Sequence, residues 1–515
     1  MKLLRSIATV GGFTIGSRVV GFVREMLMAT YLGAGAMTDA MVFAMKLPSF
    51  LRRLFAEGAF NAAFVPLFAG ALAKEGEQQA RTLAEDILAW LTLSLTVLVI
   101  VVELFLPQIM SVIAPGFAKT PERLHLAIEY TRLTFPFILF ISLTALYSGI
   151  LNSLERFAAV ASSPMVGNVA IIASVYLMTA AHGEPGEAFA IGVTACGIVQ
   201  LLWVLIPAKR YGFGLRPRMP RLTPEMKRFL KLFAPAAAGS GVVQVNLLVD
   251  MLVASLLPAG GMSYLHYADR LNQLPLSVLG TAVGTALLPL LAKQLRMDQH
   301  EQAMESQNLA LEYALLLTLP AMIGLIFLAQ PLIQVLFQHG KFGPHETLET
   351  AKTLMALALG LPAYVMIKIF SSTFFARQDT FTPVAVGVGS MALNLALNLM
   401  LIDRFQHVGL GASTAIAAWA NAGVLAWMLK KRNLLILSSR FLQFFPRLIM
   451  TTALTIAVLM LADWAGRALL DQAAGWRAVV VLCTMVGTSI FAYGLLARLT
   501  GAVNWRDMRQ QLRGA

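Results

Sequence analysis

Charged residues are scarce in this chain of 515 residues. They make up 13% of the sequence, about half of what a soluble protein carries, while 58% of the residues are hydrophobic. Acidic residues are the scarcer kind, with 27 Asp and Glu against 40 Lys and Arg. Because apolar runs of about twenty residues recur, as at 87–107, the composition excludes a soluble globular protein and predicts an all-α polytopic membrane protein.

Cysteine is nearly absent, and the residues that bind metals or nucleotides lack the required spacing. Cys196 and Cys483 both lie in apolar runs, which excludes a disulfide framework. The histidines lack metal-ligand spacing, and no glycine-rich loop of the Walker type is present. The sequence therefore gives no sign of a metalloenzyme or of an ATP-driven machine.

The apolar runs predict about fourteen transmembrane helices. Their expected bounds are 6–30, 36–70, 80–113, 124–154, 158–181, 187–207, 230–257, 262–291, 304–336, 347–376, 382–402, 408–429, 444–466 and 478–500.

The distribution of basic residues predicts the orientation in the membrane. With the N-terminus inside, the cytoplasmic termini and loops carry 25 of the 40 Lys and Arg, including eight at 209–231, and the opposite side carries seven. The positive-inside rule then places both termini in the cytoplasm. Basic loops beside an anionic leaflet have membrane lipids as their natural partners, so no nucleic-acid partner is expected.

Eight basic residues remain, and all of them fall inside predicted spans. Each would cost roughly 2.5–3.5 kcal/mol at the centre of a lipid-facing helix. Some can pair with nearby acids, as Arg53 can with Glu57, and some near span ends can extend to the interface. Five of the eight lie in the first two spans, where they outnumber the acids, so we predict a positively charged cavity for an anionic ligand. Arginine suits a phosphate because its planar fork donates two parallel hydrogen bonds. The eight are Arg18, Arg24, Lys46, Arg52, Arg53, Arg132, Arg270 and Lys368.

The two halves of the chain resemble each other at one constant offset. The segment 64–80 aligns with 287–303, and 148–160 overlays 371–383. Repeats of six spans each are parallel, and in such transporters the substrate binds between two lobes near the middle of the membrane. We therefore expect an N-terminal lobe at 1–220 (spans 1–6), a C-terminal lobe at 221–440 (spans 7–12), a central cavity, and two extra helices with a cytoplasmic tail at 441–515.

Several motifs resemble a known family over essentially the whole chain. The stretches "SRVVGFVRE", "GAGAMTDAMVFAMKLPSFLRRLFAEGAFNAAFVP", "YADRLNQLPLSVLG" and "LFQHGKF" resemble the MurJ (MviN) lipid II flippases of the multidrug/oligosaccharidyl-lipid/polysaccharide exporter superfamily. This resemblance implies a transporter rather than an enzyme, with no catalytic residues. It would move lipid II, the undecaprenyl-pyrophosphate disaccharide-pentapeptide precursor of peptidoglycan, across the bacterial inner membrane by alternating access.

The resemblance also implies a substrate-binding set. Lys46 and Arg53 belong to it on the charge argument alone, since Asp39, Lys46, Arg53 and Glu57 share one helical face. The resemblance favours Arg52 over Arg53 as the cavity residue. The residues that match the family's functional positions are Arg18, Arg24, Glu25, Asp39, Arg52, Glu57, Ser263 and Arg270.

No cofactor is required for such a mechanism, but some members of the family bind Na⁺ in the second lobe. Five residues here match those positions, and Asn398 stands where some members have a carboxylate. The alternative is that the asparagines only join helices through hydrogen bonds. The five are Asp250, Asn394, Asn398, Thr414 and, through its carbonyl, Leu410.

Three other functions stay open at this point. A flippase of the same fold could carry another polyprenyl-pyrophosphate glycan, such as an O-antigen or capsule unit, because a cationic cavity suits any pyrophosphate. A cation-coupled drug antiporter would need a cavity of net negative charge, and the basic residues speak against it. A membrane scaffold that transports nothing would tolerate the loss of the arginines. Partners among the enzymes of cell-wall synthesis are also expected for the leading hypothesis.

Overall fold

The computed structural model describes residues 2–53, 58–470 and 475–503. Within these ranges every regular element is a helix and no strand is present, which confirms the predicted all-α fold. In chain order the helices are α1 (Lys2–Leu32), α2 (Ala36–Arg52), α3 (Gly58–Lys74), α4 (Glu77–Ile113), α5 (Pro121–Thr134), α6 (Phe137–Ser153), α7 (Phe157–Ala180), α8 (Pro185–Arg210), α9 (Pro224–Ser255), α10 (Gly261–Arg296), α11 (His300–Phe327), α12 (Ala329–Phe337), α13 (Pro344–Ala358), α14 (Leu361–Ala376), α15 (Phe381–Lys431), α16 (Ser439–Leu470) and α17 (Trp476–Leu499).

Nine helical segments in the described part of the chain are long and apolar enough to cross a membrane. They indicate a multi-pass membrane protein. The helices α1, α9 and α10 have the length for crossing but are not among the nine. All three carry charged or polar residues in their middle, such as Arg24 in α1 and Asp269 in α10, which lower their hydropathy. The number of fourteen spans therefore stays a prediction.

Four of the predicted spans are each divided between two helices. The span 36–70 comprises α2 and α3, and 124–154 comprises α5 and α6. The second break comes at Pro136, which has no amide hydrogen to donate to the preceding turn. The span 347–376 is divided between α13 and α14, and Pro362 stands in the first turn of α14, where proline is tolerated. Proline thus sets helix ends inside runs that hydropathy alone reads as continuous.

Hydropathy also fails to locate a helix break in one more span and the very short turn between two others. The predicted span 304–336 is divided into α11 and α12 at Leu328. The predicted spans 382–402 and 408–429 are two helical arms of α15 that meet at Gln406, whose φ is +47°. A non-glycine residue in this left-handed region reverses the chain over a single residue, so almost no loop separates the two arms.

The chain forms two compact units. The first comprises residues 1–263 with 340–342, and the second comprises 264–339 with 343–515. An aromatic row in the core of the first unit joins Phe60, Phe64 and Phe68 of α3 to Phe213, with ring centroids 5.3–5.4 Å apart. The second unit has its own apolar core, which includes Phe370, Phe374 and Leu425. The lobe boundary that the sequence suggests near residue 220 stays a prediction.

Backbone hydrogen bonds at the C-terminal ends of helices recur at the same offset that relates the two halves of the sequence. The amide of Arg156 donates to Leu151 O at 2.8 Å, and that of Asp379, at the equivalent position of the second half, donates to Phe374 O at 3.0 Å. The residues just before these donors, Glu155 and Gln378, both have positive φ. A second pair of such bonds, Gly76 to Ala71 and Gln299 to Gln294, has the same offset. The same C-terminal helix cap therefore recurs in both units.

Candidate functional site

Arg24 lies on α1 of the first unit between an acid and an amide. Its Nη2 is 2.5 Å from Glu25 Oε1, and its Nη1 donates to Asn168 Oδ1 at 2.9 Å. Glu25 is buried, whereas one fifth of the Arg24 side chain stays exposed. Pairing with an acid, the alternative considered from the sequence, is thus present at Arg24. The guanidinium is held in place and remains accessible on one side.

Asn168 is fixed by its own helix. Its Nδ2 donates to Pro164 O, one turn earlier on α7, at 2.9 Å. That bond leaves Oδ1 as the atom that faces Arg24. A Cβ on Gly21 would lie 3.4 Å from Asn168 Nδ2, so α1 and α7 are in contact at this level. The amide is therefore oriented before any ligand binds.

A second arginine approaches the same side of the unit. Arg52, half-buried at the end of α2, and Arg24 both lie within electrostatic range of Cys196 on α8. Gln200 Nε2 donates to Cys196 Sγ at 2.9 Å, and Ser163 Oγ donates to Gln200 Oε1 at 3.2 Å. The structure therefore brings two of the predicted arginines near one polar seam between α7 and α8.

Small residues allow this seam to form. A Cβ on Gly167 would lie 2.7 Å from Cys196 Sγ, closer than side chains tolerate. Because glycine stands there, α7 and α8 pack closely and their polar side chains meet. This explains why Gln200, a polar residue in an apolar helix, is buried and hydrogen-bonded.

Asp39 lies in a separate, fully buried network. Its Oδ2 is 2.7 Å from Arg123 Nη2 and accepts a hydrogen bond from Gly260 N at 2.7 Å. Its Oδ1 accepts from Ser263 N at 2.8 Å and from Ser263 Oγ at 2.5 Å. The structure thus brings together two predicted site residues, Asp39 and Ser263. A third residue, Arg123, is buried beside them, although the sequence places it in a connection between two predicted spans.

Arg123 is completely enclosed as well. Its Nη1 donates to Leu257 O at 2.7 Å, and its guanidinium lies 4.1 Å from the centroid of the Phe117 ring. A buried charge survives only when it is paired and hydrogen-bonded, and both conditions hold here. This network ties the start of α5 to α2 and to the connection between α9 and α10. In this conformation it is a structural clamp.

The remaining predicted residues are spread over both units. Arg18, Lys46 and Arg53 are exposed, and Lys46 interacts electrostatically with Asp250 of α9. Arg270 is half-buried on α10 in the second unit. Glu57 lies outside the described residues. Arg132 and Lys368 are the two basic residues of the predicted spans that are not assigned to the substrate, and both are exposed.

Four of the five predicted sodium ligands converge where the two arms of α15 face each other. Asn398 Nδ2 donates to Asn394 Oδ1 at 3.0 Å, and Asn394 Nδ2 donates to Thr414 Oγ1 at 3.4 Å. Thr414 Oγ1 in turn donates to Leu410 O at 2.8 Å. Ser413, which the sequence did not indicate, donates to Asn398 Oδ1.

This donor set fits a hard cation. Two amide oxygens, a hydroxyl and a carbonyl are the ligand types that such ions prefer. Among the described residues no group of three His, Cys, Asp or Glu could hold a metal, so a transition-metal site has no support there. Asp250, the fifth predicted ligand, belongs to the first unit.

Sequence reasoning missed the partners rather than the charges. Asn168 is a polar residue four positions after a proline in an apolar helix, which could have marked it as a residue that caps the freed carbonyl. Arg123 follows a loop and precedes a predicted span, and nothing local distinguishes it from an interfacial arginine. Its role appears only through contacts with parts of the chain far away in sequence.

Comparisons with known proteins agree on one family. The family profile "Lipid II flippase MurJ" matches residues 28–467. The chain is 39% identical to the probable lipid II flippase MurJ of Rhizobium meliloti (strain 1021) over 521 aligned positions, which cover 100% of this chain and 97% of the relative. A solved structure of lipid II flippase MurJ in an inward closed conformation superposes with a TM-score of 0.77 at 26% identity, covering 97% and 99% of the two chains.

A more distant likeness concerns the fold alone. An inward-facing multidrug resistance transporter of the MATE family, which belongs to the MOP superfamily, superposes with a TM-score of 0.66 at 15% identity. The alignment covers 81% of this chain and 94% of that one. This is the architecture expected for a superfamily member, and it carries no information about the substrate.

Proposed function

The chain belongs to the MurJ family of lipid II flippases, and on that premise we propose that it moves lipid II from the cytoplasmic to the periplasmic leaflet by alternating access. The observation that carries the proposal is the match to this family over 28–467 together with a relative aligned over the whole chain. Flippases of this kind are transporters, and the proposed step makes and breaks no covalent bond.

The arginines supply the chemistry of the proposed binding step. Arg24 can present its exposed edge to one phosphate while Glu25 and Asn168 hold the other edge. Arg52 adds a second guanidinium in the same unit, and Arg18 belongs to that unit as well. Arg270, in the second unit, is assigned to the pyrophosphate on the family resemblance alone. A planar, permanently charged donor suits this ligand because it binds bidentately and resists neutralisation on partial desolvation.

We assign a secondary role to the oxygen cluster of α15. The residues Asn394, Asn398, Leu410 and Thr414 would hold Na⁺, which would supply positive charge that stabilises the meeting of the two arms. The support is the set of oxygen donors within one hydrogen-bonded network. The part of Asp250 rests on the family resemblance.

The proposed setting is the bacterial inner membrane, with both termini in the cytoplasm. The support is the excess of basic residues on one side, 25 against seven. Lipid II is the proposed substrate, the surrounding lipids are direct partners, and the enzymes that make and use lipid II are the proposed protein partners.

The test is the accessibility of the lipid II headgroup at the outer surface of cells depleted of the protein. Cells that carry Arg24→Ala or Arg270→Ala are expected to accumulate lipid II on the inside and to lyse. Arg296→Ala, which removes a charge from the last turn of α10, is the matched control and should support growth.

Normal export of peptidoglycan precursor after depletion would contradict the proposal. It would move the assignment to a flippase for another polyprenyl-pyrophosphate glycan. Full activity of both arginine variants would instead show that the protein does not act through a cationic binding site.

A further inference from the structure

The connection between α8 and α9, residues 211–223, is built onto one face of α4. Arg216 N donates to Glu85 Oε1 at 3.0 Å. The other oxygen of the same carboxylate, Oε2, is 2.7 Å from Arg218 Nη2. Glu85 is buried and so can serve as a fixed anchor. The connection is therefore held in a fixed position against α4.

Two further bonds attach the end of the connection. Trp90 Nε1 donates to Arg221 O at 2.9 Å, and Thr223 Oγ1 donates to Asp86 Oδ2 at 3.3 Å. From Glu85 to Trp90 the contacts advance by about 7 Å along α4, at roughly 1.5 Å per residue. The connection thus follows the helix in the direction of its apolar part.

The depth of the connection follows from the exposure of α4. Exposed large apolar side chains on α4 begin at Leu93, just beyond Trp90, and continue through Val97 and Leu104. In a membrane protein this is where a helix leaves its protein contacts and meets acyl chains. A tryptophan at that level is typical of the membrane interface. The connection therefore approaches the boundary between headgroups and hydrocarbon at Arg221, and at Thr223 it has returned to the level of Asp86.

The side chains of the connection alternate between basic and apolar types at this boundary. Met219 is 82% exposed and Leu222 is 57% exposed. Arg216 and Arg221 are also exposed, and the described bonds of both residues to α4 use the backbone. Their guanidinium groups are thus not required to hold the connection in place.

The equivalent connection in the second unit shows that the fold does not need these arginines. It runs from Arg432 to Arg440 with the sequence "NLLILSS" between them and is anchored by Asn308. Asn308 Nδ2 donates to Ile436 O at 2.8 Å, and Ser438 N donates to Asn308 Oδ1 at 3.4 Å. Asn308 is the counterpart of Glu85 at the offset of the repeat, so the same anchor position holds a segment, 433–439, that carries no charge. Anchoring of the connection therefore does not explain the basic side chains of 211–223.

We propose that residues 211–223 form a binding surface for anionic phospholipids of the adjoining leaflet. Arg216 and Arg221 contact the headgroup phosphates, while Met219 and Leu222 insert between the acyl chains. Charge complementarity favours this partner, since a phospholipid such as phosphatidylglycerol offers the anion and the hydrocarbon that the surface can meet together. The inference rests on the cytoplasmic placement of this connection proposed above.

The first test is native mass spectrometry of the purified full chain with phosphatidylglycerol and phosphatidylcholine in competition. The double variant Arg216→Gln/Arg221→Gln is expected to lose preference for phosphatidylglycerol by about fivefold for each arginine removed. The control Lys293→Gln/Arg296→Gln removes the same charge from the last turn of α10 and should bind like the parent. An unchanged preference in the first variant, or an equal loss in the control, would overturn the proposal.

The second test measures depth and needs no loss of binding. In a Cys483→Ser background, Met219→Cys and Met297→Cys each receive a fluorophore, because both methionines are exposed in connections. Brominated phosphatidylglycerol in vesicles should quench the probe at residue 219 at least several-fold more than the probe at residue 297. Equal quenching would refute the insertion. Neither test involves lipid II, so their outcome is independent of the proposed transport.

Discussion

At the scale of single residues, Asp39 carries a charge that the structure has fully paired. Removing one member of a buried ion pair costs about 3–5 kcal/mol, because the remaining charge stays buried without compensation. Asp39→Asn should therefore lower the melting temperature of the purified protein, since Arg123 would keep its charge in the same buried place.

The double variant Asp39→Leu/Arg123→Met tests the cause of that loss. It removes both charges and should recover part of the stability. If Asp39→Asn melts like the parent but no longer binds lipid II, the carboxylate acts on the substrate and the clamp described above is not its main role.

Asn168 offers a second test at this scale. Asn168→Leu removes the acceptor of Arg24 Nη1, and hydrogen bonds to charged groups contribute about 1.5–3 kcal/mol. We expect lipid II flipping to fall roughly tenfold with little change in melting temperature, because the guanidinium stays in place but loses its orientation. Ser163→Ala on the same helix loses a hydroxyl that contacts Gln200 and not Arg24, and it should flip normally. Equal activity of the two variants would show that Asn168 does not position Arg24.

The residues that could be predicted are the ones whose chemistry is local. Arg24 and Glu25 are adjacent in sequence. A charge in an apolar run is costly to desolvate, so its presence there indicates a functional residue. Arg123 could not be recognised in this way, because an arginine beside a predicted span looks like an interfacial residue. Its partner Asp39 lies far earlier in the chain, so only the packing of α5 against α2 reveals the pair.

At the scale of elements, the start of α15 depends on a carboxylate outside the membrane-spanning helices. Asp379 Oδ1 accepts from Thr382 N at 2.9 Å, Thr382 Oγ1 donates to Oδ2 at 2.7 Å, and Arg432 Nη1 lies 2.6 Å from Oδ2. These contacts, with the backbone bond from Thr382 the strongest, lower the pKa of Asp379 to about 2. Its contribution is therefore complete above its ordinary pKa near 4 and is lost as the pH falls towards 2.

Asp379→Ala should cost about 1 kcal/mol at neutral pH, as for other helix-capping residues. The melting temperatures of parent and variant, measured from pH 7 downwards, should differ at neutral pH and converge as the pH falls to about 2. Asp463→Ala is a suitable control, since Asp463 pairs with Arg467 within α16 and accepts no capping bond from the backbone. A difference that grows as the pH falls would contradict the assigned sign.

The two arms of α15 give a second prediction at this scale. A ligand that binds only the folded state at 100 times its dissociation constant adds about 2.7 kcal/mol of stability. Sodium chloride should therefore raise the melting temperature above that in choline chloride at equal ionic strength. Asn398→Leu should abolish the difference, while Ser390→Ala, which loses only a bond to Ala417 O in the same arms, should retain it. If the parent melts equally in both salts, the cluster only joins the arms.

The sequence predicted most element types and fewer of their ends. Hydropathy located α4, α7, α8, α16 and α17 within a few residues because each is one uninterrupted apolar helix. It could not show that Pro136 ends a helix while Pro48 lies inside one, since proline is tolerated wherever the freed carbonyl finds another partner. Nor could it show that Gln406 alone reverses α15, because a positive φ at glutamine follows from the packing of the two arms.

At the scale of the whole molecule, the repeat links sequence, backbone and the proposed lipid surface. One constant offset relates the helix caps at 156 and 379, and it also relates the anchors Glu85 and Asn308. Equivalent positions keep the backbone role, while the side-chain chemistry has diverged. Features that both halves share are thus required by the fold, while features of one half alone serve function. We place the arginines of the connection 211–223 among the latter.

The crossing of α9 and α10 accounts for two of the fourteen predicted spans. Both helices are long enough to cross, yet neither is among the nine apolar segments of the described ranges. Basic residues flank the pair, at 209–231 before α9 and at Lys293 and Arg296 after it, while residues 256–260 between them carry no charge. The positive-inside rule therefore predicts that both helices cross and that residues 256–260 face the periplasm.

Cysteine labelling in intact spheroplasts tests this arrangement. In the Cys483→Ser background, an impermeant maleimide should label Ala259→Cys and leave Met219→Cys and Met297→Cys unlabelled, because Ala259 is an exposed residue between the two crossings. All three should react once the membrane is disrupted, which confirms that each thiol is accessible. If all three stay protected until then, α9 and α10 do not cross, and residues 256–260 lie on the same side as their neighbouring connections. If Met219→Cys reacts in intact spheroplasts, residues 211–223 face outwards, and the lipid surface cannot bind the cytoplasmic leaflet.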